Sequence, residues 1–290
     1  MKQLASLILF CFVLFCLPFS GHGQSPAHYR NPVIPGDFPD PTVIRVGKMY
    51  YAAGTTSDFE YIGRQGMLDE VIWDKETGWP RFKNGNTPSV RAEMPFAKTR
   101  QLRDTVYYDD FSTDKNLKFW QWDLTQTKPE IKIKKKILTI SSAQDGVVFA
   151  GINPKTGNYS FEAKLAQRTG DLSGICVYGN SKNLLAFTAN QNKLVLFQLK
   201  KGTKEILAEI TIPENAKVSL KLEALHGRVY KFFYSTYQKN WIQIKIKDEF
   251  TIDGNFLPQW GVGIRTGLMF DGNKDRQGSY SSVKINYSFS

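Results

Sequence analysis

The chain has 290 residues, 41% of them hydrophobic and 13% aromatic, enough to bury one large core or two modest ones. Its 38 Lys and Arg against 27 Asp and Glu give a formal charge of +11, yet no usual nucleic-acid-binding motif accompanies that balance, so nucleic-acid readers are set aside. Of the three cysteines, Cys11 and Cys16 lie in the first 20 residues and only Cys176 lies beyond, which leaves no intrachain disulfide once a leader is removed.

That leader is residues 1–23. Met1-Lys2 is followed by an apolar run from 7 to 17, a break at Pro18 and the small-residue pattern Gly21-His22-Gly23, which predicts a cleavable secretory signal and a mature start near Gln24. The run is too short to span a bilayer, so no membrane partner is expected after cleavage and the protein is expected to be secreted or periplasmic. Phe10 and Phe15 stand before the two leader cysteines where lipidation needs a small residue.

Residues 31–59 read NPVIPGDFPDPTVIRVGKMYYAAGTTSDF. Asp40 lies between Pro39 and Pro41, and the following proline ring pushes it out of the helical region into extended backbone. Behind it, Val43-Ile44-Arg45-Val46, a Gly47-Lys48 turn and Met49-Tyr50-Tyr51-Ala52-Ala53 predict two short strands in a tight hairpin. A Pro-Asp-Pro tripeptide alone marks only a loop. The longer string N-P-V-I-P-G-D-F-P-D-P-T-V-I-R-V-G-x-x-Y-Y resembles the opening of glycoside hydrolase family 43, which includes β-xylosidases, α-L-arabinofuranosidases and arabinanases. That resemblance implies a five-bladed β-propeller, inverting chemistry and a general-base role for Asp40; Thr42 stands where Ser is common.

From Tyr61 the chain reads YIGRQGMLDEVIWDKETGWPRFKNGNTPS, which resembles the end of the family 43 catalytic domain and not its second blade. Five blades need on the order of 200 residues, whereas the stretch from Tyr29 to Arg100 offers about 70, too few to close a propeller. The expectation is therefore a truncated propeller remnant over 24–92, whose two parts form a small sheet, and a linker over 93–104. By that resemblance Asp69, Glu70 and Asp74 lie outside the family's acid and pKa-modulating positions, and they are expected to serve turns and surface charge.

Residues 105–290 change to short alternating runs separated by Gly, Asn and Pro turns, about a dozen strands by their spacing. Glu130-Ile131-Lys132-Ile133-Lys134 puts lysines on a solvated face that protects a sheet edge. Tyr159, Phe161, Ala163 and Leu165 share one strand face, Val218, Leu220, Leu222 and Ala224 another, and Ile242, Ile244 and Ile246 a third. Asn190-Gln191-Asn192 and His226-Gly227 supply hairpin turns, and Val283, Ile285, Tyr287 and Phe289 a last strand. This texture implies a two-sheet β-sandwich or jelly roll. With its openings Asp109-Asp110-Phe111-Ser112 and Phe119-Trp120-Gln121-Trp122, it resembles the concanavalin-like domain that follows the propeller in many family 43 enzymes. The expected fold class is all-β: a remnant of a five-bladed β-propeller followed by a concanavalin-like β-sandwich.

Inverting hydrolysis needs two carboxyl groups roughly 6.5 to 9.5 Å apart, and Asp40 supplies one. The resemblance places the other in the missing blades, so a family 43 hydrolase of xylan- or arabinan-type plant cell-wall polysaccharides is expected here in impaired form. The alternative is a non-catalytic carbohydrate-binding sandwich. Sugar binding needs flat rings to stack on; Trp120, Trp122, Trp241 and Trp260 are candidates, although sandwich tryptophans usually serve the core. Trp120 and Trp122, two apart, are preferred because they would face one side of a strand. No cofactor is expected: His28 and His226 form no cluster, and Asp109 with Asp110, or Asp271-Gly272-Asn273 with Asp275, offer oxygens to Ca²⁺ but read first as turns. Cys176, between Ile175 and Val177, is expected to be a small buried hydrophobe.

Overall fold

The computed structural model describes residues 28–30, 42–46, 49–56, 65–76, 80–84, 89, 91–93, 104–237, 240–257 and 263–289. The leader, Asp40, residues 94–103 and Trp260 lie outside the described residues. Within them the chain is all-β. Six strands come first: β1 (His28–Arg30), β2 (Thr42–Val46), β3 (Met49–Thr56), β4 (Gln65–Trp73), β5 (Pro80–Phe82) and β6 (Arg91–Glu93). β2 to β5 form an antiparallel meander in chain order, and β1 pairs with β6. Val46 stands opposite Met49, the register of the expected hairpin. β3 pairs with β4 from Tyr50↔Val71 to Thr56↔Gln65, so the two family-like stretches share one sheet, as expected.

Asp69 departs from its expected surface role. It is buried, and its carboxylate accepts the N–H groups of Glu70 (2.8 Å) and Ser89 (2.5 Å). A buried carboxylate so engaged staples the 89 region onto β4. Glu70 pairs with Lys83 at 2.8 Å and Asp74 accepts the Glu76 N–H at 3.0 Å, the surface and turn roles expected of them.

Fifteen strands follow among the described residues: β7 (Val106–Asp109), β8 (Glu130–Lys134), β9 (Ile137–Ser141), β10 (Gly146–Ile152), β11 (Tyr159–Gln167), β12 (Leu172–Asn180), β13 (Asn183–Ala189), β14 (Lys193–Lys200), β15 (Thr203–Thr211), β16 (Val218–Leu225), β17 (Val229–Thr236), β18 (Ile242–Gln243), β19 (Ile252–Asp253), β20 (Arg265–Gly272) and β21 (Gly278–Tyr287). They make two sheets. One has the order β10-β20-β12-β13-β14-β15; the other runs β18-β17-β16-β11-β21-β9-β8, with β19 beside β17 and β7 beside β21.

The larger sheet follows the alternation read from the sequence. Tyr159, Phe161 and Ala163 of β11 and Val218, Leu220, Leu222 and Ala224 of β16 are buried, and the residues between them are more exposed except Ser219, which is buried as well. β8 is an edge strand with its lysines exposed. The third expected face breaks. β18 ends at Gln243, with the Ile244 N–H still bonded to the Phe232 carbonyl (2.9 Å) in the same register; Ile242 is exposed, whereas Ile244 and Ile246 are buried in the core.

The six-stranded sheet is apolar on both faces. Ile175, Val177, Leu185, Phe187, Leu196 and Leu268 point to the inter-sheet core, while Cys176, Tyr178, Ala186, Phe197 and Met269 form a second buried cluster on the outer face. Phe149 stacks on Tyr178 there with centroids 4.4 Å apart. Lys204 caps Phe197 at 4.3 Å while pairing with Asp271 at 3.2 Å. Cys176 is fully buried, as expected, and burial pushes its thiol pKa up, which keeps it unreactive.

Two polar ties lock the layers. The Tyr280 hydroxyl, on β21, accepts the Gly174 N–H of β12 (3.0 Å) and donates to the Met269 carbonyl of β20. Arg168, just past β11, donates to the carbonyls of Asn190 and Gln191 and to those of Pro213, Glu214 and Ala216, at 2.6 to 3.2 Å.

Candidate functional site

A 3-10 turn, Lys115–Phe119, delivers the chain to Trp120 in extended backbone. Gln121 then forms a two-way bridge with Gly151 of β10, N–H to O at 2.7 and 2.8 Å. Beyond it residues 122–125 leave regular structure and are held by side chains. The Asp123 carboxylate accepts the Tyr178 hydroxyl (2.8 Å), the Thr125 N–H (2.9 Å) and the Thr125 hydroxyl (2.6 Å). Arg265, at the start of β20, donates Nε–H to Gln121 Oε1 (2.8 Å) and Nη1–H to the Gly263 carbonyl (3.0 Å).

This segment walls a cleft of about 870 Å³ at one end of the six-stranded sheet. Opposite it stand Tyr178, Asn180, Lys182 and Asn183 of the β12–β13 hairpin, with Lys201 from the turn after β14. A smaller depression of about 260 Å³ adjoins it, shares Trp122, Asp123 and Tyr178, and adds Gln126, Thr127 and Gln144. Trp122 is half-buried between the two, with Lys128 5.0 Å from its ring centroid. The volume and the mix of aromatic and polar lining suit a small oligosaccharide.

Burial pushes the Asp123 carboxyl upward in pKa, but the hydrogen bonds from Thr125 and Tyr178 and the charge of Arg265 outweigh it and hold the group below its ordinary 3.8. Burial and the Asp123 charge raise the Tyr178 phenol in turn. Because the folded-state value of Asp123 lies below the unfolded one, its bonds stabilise the fold above pH 3.8 and release that stability as pH falls through the folded value. We expect the melting temperature of the wild-type chain to fall more steeply than that of Asp123→Asn as pH drops below about 4; parallel curves would contradict this role.

Trp120 and Trp122 both line the cleft but do not share a strand. Trp120 belongs to the main core at 3% exposure, leaving Trp122 as the accessible ring. Trp241 lies elsewhere, half-exposed, with Lys221 5.0 Å from its ring centroid. Asp109 is buried and accepts the Phe111 N–H (2.8 Å), fixing Phe111 at φ 56°, while Asp110 accepts the Ser112 N–H (3.1 Å). Asp271 is taken by Lys204. Among the described residues no three His, Cys, Asp or Glu side chains gather as a metal site. Asp123, Tyr178, Asn180 and Arg265 carried no local signal in the sequence: Tyr178 is 55 residues from Asp123, and Arg265 is 144 from Gln121.

Residues 108–285 match the family described as the β-xylosidase C-terminal concanavalin A-like domain. No curated protein matches the chain. Among solved structures, it is similar to the xylan β-1,4-xylosidase from Bacillus halodurans C-125 (TM-score 0.68, 15% identity, 85% of this chain and 52% of that one). It is also similar to the GH43 BlXynB protein from Bacillus licheniformis (TM-score 0.68, 18% identity, 89% and 56%). A third is the GH43B protein of a Bacteroides ovatus xyloglucan PUL (TM-score 0.65, 14% identity, 85% and 53%). The chain thus spans about half the length of these structures, and at such identities the likeness is one of fold.

Proposed function

Because the chain belongs to the family of β-xylosidase C-terminal concanavalin A-like domains of glycoside hydrolase family 43, we propose that it is an exported saccharide-recognising member of that lineage. It holds xylan- or arabinan-type oligosaccharides in the cleft at Trp122 and has little hydrolytic power of its own. The observation that carries this reading is the cleft's chemistry. One accessible ring, several amide and hydroxyl groups and a single carboxylate line it. That carboxylate, Asp123, accepts three hydrogen bonds and is held in its ionised form, the reverse of what a general acid requires. The constellation orients a sugar without cleaving it.

Asp40 keeps, in this proposal, the general-base role that the Pro-Asp-Pro resemblance implies, within an N-terminal module descended from the propeller. Support comes from the four-stranded meander β2 to β5, the strand number of one blade, and from structural matches that cover more of the chain than residues 105–290 make up. Losing general-acid catalysis costs about 100- to 10,000-fold in rate. Titration of the full chain and of Trp122→Ala with xylo- and arabino-oligosaccharides, beside an aryl-glycoside assay, tests the reading. Binding that depends on Trp122, with turnover reduced to that degree, is expected; ordinary turnover abolished by Asp40→Asn would overturn it.

A further inference from the structure

The rim of the cleft carries charge that a neutral sugar does not use. Lys182, Lys201 and Arg265 line it against one carboxylate, Asp123, whose oxygens already take Tyr178 and Thr125. Arg265 spends Nε and Nη1 on Gln121 and Gly263, and its remaining amino group, Nη2, has no hydrogen-bond partner among the described residues. Neither lysine has a carboxylate within 4 Å among the described residues, in contrast with Lys193, Lys204 and Lys221 on the same sandwich, which pair with Glu209, Asp271 and Glu223.

The two lysines are also held side by side. Lys182 sits in the two-residue turn between Asn180 and Asn183, and Lys201 in the turn closed by Lys200↔Thr203. Lys201 and Gly202 have φ of 53° and 84°, as a tight hairpin with the sheet's twist demands. The Gly202 N–H donates to the Lys182 carbonyl (2.8 Å), and the Lys201 N–H donates to Asn183 Oδ1 (3.0 Å). Separate hairpins are thereby pinned to one another, and their lysines, Lys182 and Lys201, both line the one cleft together with Asn180 and Asn183. Fixing like charges together without acidic partners is unfavourable for the free protein and becomes favourable when an anion enters.

We infer that the cleft recognises an oligosaccharide bearing a uronic acid, its neutral sugar lying against Trp122 and its carboxylate meeting Lys182, Lys201 and the free edge of Arg265. This rests on the saccharide-binding reading above and supplies its ligand class. Arg265 offers the directional hydrogen bond and the lysines the field.

The test is a calorimetric titration of the full chain with xylotetraose and with the same tetraose carrying one glucuronate branch. The branched sugar is expected to bind at least about tenfold more tightly in dilute buffer, with the ratio shrinking as salt rises to about 0.5 M and screening shortens the reach of the rim charges. In the Lys182→Gln/Lys201→Gln double variant the ratio falls to about one. Lys182→Arg/Lys201→Arg keeps it, which separates lost charge from a disturbed turn, and coincident melting curves confirm that both variants fold. Equal affinity for the two sugars overturns the inference while leaving the saccharide reading intact. Binding of neither sugar overturns both. Competition by inorganic sulfate as strong as by the branched sugar marks a plain anion site and also overturns it.

Discussion

Gly174→Ala is expected to cost the sandwich about 3 to 5 kcal/mol, the range of severe core lesions. Gly174 lies mid-strand in β12 between β13 and β20. A Cβ there would overlap the Phe187 carbonyl oxygen and the Thr188 Cα of the neighbouring strand, backbone atoms that no rotamer change can move aside. The same residue gives its N–H to the Tyr280 hydroxyl, the tie between the two sheets, so a shifted β12 also strands a buried phenol. An unsatisfied buried donor or acceptor adds about 1 to 3 kcal/mol. A urea melt followed by tryptophan fluorescence reads the loss; a midpoint within error of wild type would refute this packing.

Arg168→Ala comes next, with an expected loss of about 2 to 4 kcal/mol. One guanidinium holds the 190–191 turn and the 213–216 loop together through five carbonyls. Charge-assisted bonds run about 1.5 to 3 kcal/mol each, but simple addition would exceed the whole stability of a domain, and Arg168 is half-exposed, so water re-pairs part of what the arginine leaves. Lysine cannot reach both loops in a planar fork, and Arg168→Lys should recover less than half of the loss. Hydrogen exchange at Asn192 and Ala216 should accelerate in the alanine variant; unchanged protection would show that the loops hold themselves.

The elements legible in the sequence are those whose two faces differ in environment. β11 and β16 each pack one face on the core and carry mostly polar residues on the other, so their apolar residues alternate and can be counted from the string. β12 to β14 are buried on both sides, and Leu184-Leu185-Ala186-Phe187 or Leu194-Val195-Leu196-Phe197 carries no period to read. Continuity of the apolar run between polar turns was the available signal. Ile242, Ile244 and Ile246 alternate as a strand should, but the strand ends at Gln243 and the chain folds back on itself at the Ile246–Glu249 bridge, so Ile244 and Ile246 are buried while Ile242 is exposed.

The cleft was half legible. Trp122 stood out by residue type, and its approach by Phe119-Trp120 marked the segment. Nothing local could show that Trp120 turns into the core while Trp122 does not, because the Gln121–Gly151 bridge that splits them joins residues 30 apart. Tyr178, Asn180, Lys182 and Arg265 enter through hairpin register and strand order, which chain spacing alone does not reveal.

Titration of Trp122→Ala against wild type with xylo- and arabino-oligosaccharides measures the central claim most directly, since Trp122 is the ring on which a sugar would lie. Affinity is predicted to fall at least about tenfold, roughly 1.4 kcal/mol, with the melting temperature unchanged because the ring is outside the main core. Equal affinity of the two proteins would contradict a saccharide site in this cleft.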